Sequence, residues 1–175
     1  MKTKKMFTIT LVTMLVILVS LTNVRAEAEE ISIDDIPRAY EVFCWEVSNN
    51  YDLSEALLIS LVWQESKFKA DEVNGNVSQI TNIRWYQEGV NYTCSENPKT
   101  NVYENINVLG YYLHKWAEQY PDEPYLWCRM WNEGYENALL NRDYISYYSR
   151  TIVDRIPDIE EQLNERMVKE SGRLY

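Results

Sequence analysis

Apolar side chains recur every three to four residues along most of this 175-residue chain, the spacing that gathers them on one face of an α-helix. The first such stretch predicts a helix opening near Pro37, because proline suits the first helical turn. Ala39, Val42, Phe43 and Val47 share its apolar face, and Asn49-Asn50 ends it. The next stretch is the best defined. Leu57, Leu58, Leu61, Val62 and Phe68 form a stripe, and Asp52 with Glu55 three residues later fits a capping box. A third helix is expected over 103–120 through Ile106, Leu109, Leu113, Ala117 and Tyr120. Pro124 opens a fourth, which runs to Asn132 and is broken at Glu133-Gly134. A fifth begins near Asp143 with Ile145, Tyr148 and Ile152, and Pro157 kinks or ends it. Ile159, Leu163 and Met167 mark a last amphipathic stretch. Residues 74–100 lack this periodicity and hold Gly, Asn, Ser, Thr and Pro. They predict a long loop or small subdomain, a length uncommon unless functional. The Asn91-Tyr92-Thr93 triplet inside it matches a glycosylation acceptor, a pattern frequent by chance. Few strand signals and no repeat appear. The expected fold is mainly α, one domain over 37–175 behind an acidic, solvated leader over 27–36.

Residues 1–26 follow a different pattern. Lys2, Lys4 and Lys5 precede a short apolar run from Leu11 to Val19, and Val24-Arg25-Ala26 ends in a small residue. That is the order of a secretory signal peptide. The run is shorter than the roughly 20 apolar residues that span a bilayer, and no cysteine near the cut suggests a lipid anchor. An exported protein, in the cell envelope or outside the cell, is the expectation. Removing this segment, which has four bases and no acid, takes the net charge from −10 to −14.

Such an acidic domain lacks the positive field that nucleic acid or a basic membrane-surface helix requires. One histidine and three irregularly spaced cysteines do not suggest a metal centre, and no cofactor motif appears. An oxidising destination makes one disulfide possible among Cys44, Cys94 and Cys128; the alternative is three free thiols. With 14 Tyr and 6 Trp against 3 Phe, the aromatic set favours rings with a polar edge. This fits a surface that stacks on sugar, and equally a tyrosine-rich core.

Glu65 stands out against this pattern. It lies three residues after Val62 and four after Leu61, so helical geometry puts a carboxyl on the apolar stripe at the helix's C-terminal end. Desolvation favours the neutral acid, and the negative end of the helix dipole adds to that. Both push the pKa towards the range of a general acid. A structural alternative is a rim glutamate paired with Lys67 or Lys69.

The stretch Ala56-Leu57-Leu58-Ile59-Ser60-Leu61-Val62-Trp63-Gln64-Glu65-Ser66-Lys67-Phe68 resembles the helix of the soluble-type lytic transglycosylases, a family related to goose-type lysozyme. There an apolar run leads into Glu-Ser and then an aromatic residue. The order downstream is similar. Asn74-Gly75-Asn76-Val77-Ser78-Gln79-Ile80 stands where the family has Gly-Leu-Met-Gln-Ile. Glu104-Asn105-Ile106, Gly110 and Tyr112-Leu113 resemble its Asn-Ile…Gly…Tyr-Leu helix. Trp131-Asn132-Glu133-Gly134 resembles its Tyr-Asn-Ala-Gly turn, and the run from Tyr148 to Val153 its late tyrosine helix. The resemblance covers about residues 57–155. Two departures stand in it: Asn76-Val77-Ser78 replaces Gly-Leu-Met, and Trp131 replaces a tyrosine, keeping a stacking surface but losing a hydroxyl.

The resemblance implies a monomeric, lysozyme-like helical domain that cleaves the β-1,4 bond between N-acetylmuramic acid and N-acetylglucosamine in peptidoglycan. Glu65 would be the single acid and base, with a 1,6-anhydro sugar as product. Ser66, Gln79, Trp131, Asn132 and Tyr148 would be substrate contacts, Tyr148 reaching either Glu65 or the sugar. The partner would be a glycan strand, with a secretion, conjugation or phage machine as the wider setting. Two alternatives share the fold: a muramidase that uses water, with Asp71 or Glu72 positioning it, and a non-catalytic wall-binding or scaffold protein. A thiol hydrolase using Cys94 or Cys128 with His114 is a weaker fourth reading, since no residue in the sequence pattern orients that histidine.

Overall fold

The structure, a computed structural model, describes residues 30–69, 76–80, 88, 98 and 101–172. The segment over 1–26, the residues Asp71, Glu72 and Cys94, and the Asn91 triplet lie outside the described residues. The chain divides between Glu30 and Ile31, and the description below concerns the part that follows. A 3-10 turn at Ile33–Asp35 leads into α1 (Arg38–Tyr51), α2 (Glu55–Ser66), α3 (Val102–Gln119), α4 (Pro124–Glu133), α5 (Tyr135–Leu140), α6 (Tyr147–Val153) and α7 (Ile156–Ser171). Among the described residues no strand occurs, so the chain is mainly α, as its periodicity predicts.

The second helix organises the rest. Seven consecutive residues from Ala56 to Val62 are buried, so α2 is apolar all round rather than on one stripe. A helix of that kind has to be enclosed, and α1, α3, α6 and α7 all pack against it. Each fully buried Leu or Ile contributes about 1.5–3 kcal/mol, which makes α2 the densest source of stability. Ser60, inside this apolar run, donates its hydroxyl to the Ile152 carbonyl at 2.8 Å and thereby ties α2 to α6.

The caps differ from the expected ones in instructive ways. Ser54, not Asp52, caps α2, accepting the Leu57 N–H at 3.3 Å. Asp52 instead ends α1 in the left-handed region at φ 53°, a conformation that short polar side chains tolerate. Asn101 caps α3 through the Glu104 N–H at 3.2 Å. Ser146 caps α6 through the Ser149 N–H at 3.1 Å, so that helix starts four residues later than Asp143. Pro157 starts α7 instead of ending a helix, and the unforeseen six-residue α5 follows the break at Gly134.

Two other expectations are corrected, and an open alternative is decided. The buried face of α1 is Glu41, Cys44, Val47 and Ser48, and Val42 is exposed; Glu41 is tolerated inside because both Arg38 and Arg166 hold its carboxylate. The acidic leader is docked from Ile31 onward. Ile31, Ile33 and Ile36 are buried, and the Gln162 side chain on α7 bridges the Ile31 carbonyl and the Ile33 N–H at 2.8 and 2.9 Å. Finally, Cys44 and Cys128 are both free and fully buried. Of the two alternatives the sequence leaves open, the free-thiol one describes both.

Gly110 lets α1 and α3 approach closely. A Cβ built there would lie 2.4 Å from Val47 Cγ1 and 2.9 Å from Tyr51 Cδ2, so the helix gives up about 1 kcal/mol of propensity for contact between its backbone and the facing helix.

Candidate functional site

Glu65 occupies the last turn of α2, half-buried. Two successive residues then leave the helix in the left-handed region, Lys67 at φ 55° and Phe68 at φ 55°. The Lys67 N–H closes the helix onto the Trp63 carbonyl at 2.8 Å, and Ser66 donates its hydroxyl back to the Val62 carbonyl at 3.2 Å. Phe68 returns to the core, stacked on Tyr40 at 5.8 Å and tilted against Trp63 at 6.2 Å. The helix end is therefore held from below.

The Tyr148 hydroxyl, from α6, donates a hydrogen bond to Glu65 Oε1. Burial raises the Glu65 pKa above its ordinary value, and the Tyr148 hydrogen bond partly opposes this by favouring the carboxylate. Burial also pushes the Tyr148 phenol far up, and the neighbouring Glu65 charge and hydrogen bond add to it. Tyr148 is consequently a fixed neutral donor. With Oε1 occupied, the other carboxyl oxygen is the one left for a proton or a ligand. Cys128 is fully buried, and burial raises its thiol well above its usual value, with the Glu65 charge contributing. Such a thiol supplies no thiolate. His114 points elsewhere, 3.7 Å from Glu118 and beside the Tyr51 ring at 5.9 Å.

The turn at residues 76–80 forms the second part. Asn76 Oδ1 accepts from the Ile80 N–H and from Asn105 Nδ2, both at 2.8 Å. Asn105, fully buried on α3, accepts the Ser78 N–H at 2.8 Å, and the Ser78 hydroxyl donates to the Asn105 side chain as well. Trp131 on α4 donates its indole N–H to the Ser78 carbonyl at 3.2 Å. Val77 and Ser78 are buried within this network. The turn presents Gln79, exposed and left-handed at φ 57°.

The sequence-selected residues divide accordingly. Glu65 and Tyr148 touch. Trp131 joins the turn that carries Gln79, but at 7% exposure it is a wall packed against Tyr112 and Trp116 rather than an open stacking platform. Asn132 is exposed, next to Glu133, which pairs with the buried Arg129. Ser66 spends its hydroxyl on its own helix. Sequence reading missed the Asn76–Asn105–Ser78 network, although a buried-looking Asn105 on the apolar face of α3 was a signal. It also missed a cavity of about 680 Å³ flanked by Tyr112, Trp116 and Tyr135, with Lys115, Gln119 and Glu133 at its edge. Glu65 does not line that cavity.

Among the described residues no three metal-ligating side chains converge, and no helix is long and apolar enough to cross a membrane. No protein-family model, no curated protein and no solved structure matches the chain.

Proposed function

We propose that this chain is an exported lytic transglycosylase with a lysozyme-like domain, cleaving the MurNAc-β-1,4-GlcNAc bond of peptidoglycan with Glu65 as its single acid and base. The observation that carries the reading is the Glu65–Tyr148 pair. A half-buried carboxyl at the end of the central helix is pushed toward its neutral form, while one oriented phenol stabilises its ionised form.

A one-carboxylate mechanism needs both states. Protonated Glu65 donates to the glycosidic oxygen, and positive charge develops at the anomeric carbon of the muramic ring. The carboxylate left behind then accepts the proton of the ring's own C6 hydroxyl as that oxygen closes on the anomeric carbon. The 1,6-anhydro product consumes no water, and Glu65 ends protonated as it began. Burial supports the first step and Tyr148 the second. Trp131 and the turn at 76–80 would form one wall of the cleft, with Gln79 and Asn132 reaching the sugar.

Purified peptidoglycan digested by wild type and by Glu65→Gln, with products read by mass spectrometry, tests this. Anhydro-muramyl ends from the wild type, reduced about 10²–10⁴-fold in the variant, are expected. Reducing ends would make the protein a muramidase. Binding without any turnover would make it a wall-binding protein.

A further inference from the structure

A groove between α1 and α7 plays no part in the reaction proposed above. Both helices pack against α2, and across the gap they meet through charged side chains. Arg38 from α1 and Arg166 from α7 hold the Glu41 carboxylate between them, and Arg38 also pairs with Glu170 at 3.5 Å. The groove itself has a volume of about 300 Å³, with Val42 and Trp45 on one wall and Leu163 and Met167 on the other. Trp45 is 56% exposed and Met167 61%, and Val42 and Val168 are exposed as well. Half of the large apolar side chains exposed among the described residues thus stand on these two helices, and such a patch with charges at its rim is the mark of an interaction surface.

Glu55, at the start of α2, also lines the groove. Unlike Glu41 and Glu170, its half-buried side chain makes no hydrogen bond and no ion pair among the described residues. The helix start favours a carboxylate there, yet burial and the Glu41 charge outweigh it and hold the pKa at about 7. The groove therefore offers an anion that the protein itself leaves without a cation. Glu55 and Glu65 lie at opposite ends of α2, about 15 Å apart at the usual helical rise, so this surface is separate from the acid.

We infer that the groove docks a helix of a partner protein, which places a lysine or arginine against Glu55 and apolar residues beside it. The walls have the spacing of helix faces. Arg38, Glu41, Val42 and Trp45 on α1 fall at i, i+3, i+4 and i+7, and so do Leu163, Arg166, Met167 and Glu170 on α7. Two facing ridges of about two turns suit a third helix laid between them. The alkyl stem of a basic side chain covers apolar wall while its head reaches the carboxylate, and the exposed Trp45 face attracts a cation as well. A second copy is the poorer occupant, because a chain with 27 acids and 17 bases brings like charge to the groove. The same excess draws a basic partner in.

The test uses the full chain at pH 8, where Glu55 is mostly ionised, and two synthetic helical peptides. One carries leucine at i, i+3 and i+7 and lysine at i+4; its twin has glutamine in place of that lysine. Binding is followed by NMR on the Trp45 indole signal, assigned with Trp45→Phe. The lysine peptide is expected to bind about tenfold more tightly than its twin, and Glu55→Gln is expected to erase the difference. General attraction to an acidic protein would survive the loss of one carboxylate among 27 acids, so that variant separates the two effects. Trp45→Ser, a change at an exposed side chain, should weaken both peptides. Equal affinity for the two peptides, a preference that persists in Glu55→Gln, or binding that leaves the Trp45 signal unmoved overturns the proposal. Hexylammonium that binds as tightly as the lysine peptide also overturns it and assigns the groove to a small amine. Self-association in sedimentation that Trp45→Ser abolishes overturns it in favour of a second copy.

Discussion

Glu55 gives the electrostatics a test that requires no substrate. It sits in the first turn of α2, half-buried, and its pKa is pushed up from 4.5 to about 7, by burial first and by the Glu41 carboxylate second, with Arg38 opposing. A difference of that size corresponds to about 3 kcal/mol between the two protonation states. Water reaches much of the side chain, and screening reduces the contribution to stability to about 1–2 kcal/mol. The N-terminal end of the helix favours a carboxylate by under ~1 kcal/mol and sets the lower end of that range. The folded protein holds this proton more tightly than the unfolded chain does. Below pH 4.5 both states are protonated and the full stability is present; as the pH rises from 4.5 to about 7 the unfolded chain ionises first and stability falls; above 7 the loss is complete. Glu55→Gln keeps the shape and cannot ionise. Urea unfolding followed by tryptophan fluorescence should find the variant about 1–2 kcal/mol more stable at pH 8, with the gap closing as the pH is lowered to 4.5. A gap that does not change with pH, or a wild type that is the more stable at pH 8, refutes the reasoning.

Other expectations follow from the same geometry. Gly110→Ala should cost about 1–3 kcal/mol despite alanine's better helix propensity, because its Cβ meets Val47 Cγ1 at 2.4 Å; thermal melting reads this directly. Arg129→Met should cost about 3 kcal/mol, since it strands the half-buried Glu133 carboxylate and removes the donor to the Asn141 and Tyr144 carbonyls, and a variant as stable as wild type would contradict it. Tyr148→Phe removes the hydrogen bond that lowers the Glu65 pKa and leaves burial unopposed. Its Glu65 carboxyl, followed by carbon NMR, should therefore titrate at higher pH than in the wild type, and any loss of turnover with rising pH should move the same way.

Much of the fold is legible in the sequence where a period has room to repeat. The eighteen-residue α3 and the apolar run of α2 declare themselves, as do the breaks at Gly134 and the opening at Pro124. Short elements do not: α5 has six residues, too few to show a period of 3.6. Caps mislead when two candidates compete, as Asp52 and Ser54 do, because the left-handed end of α1 and the start of α2 fall within three residues of each other. The docked leader hides its isoleucines among acids, and only the Gln162 bridge from the far end of the chain explains their burial. Glu65 was visible as a misplaced carboxyl on an apolar stripe. Its partner lies 83 residues away, a separation that no local pattern encodes, and Tyr148 was suggested by resemblance alone.

The enclosure of α2 has a consequence for how the acid survives disturbance. Amide protons in the middle of a helix covered by four others exchange with solvent only when the whole molecule opens, whereas chain ends and surface helices exchange through local fraying. The exposed Met167 and Val168 near the end of α7 belong to the second class. Glu65 is thus carried by the segment that opens last, so nicking or fraying at the C-terminus should leave its surroundings intact. Loss of the site and loss of the fold should then be a single event.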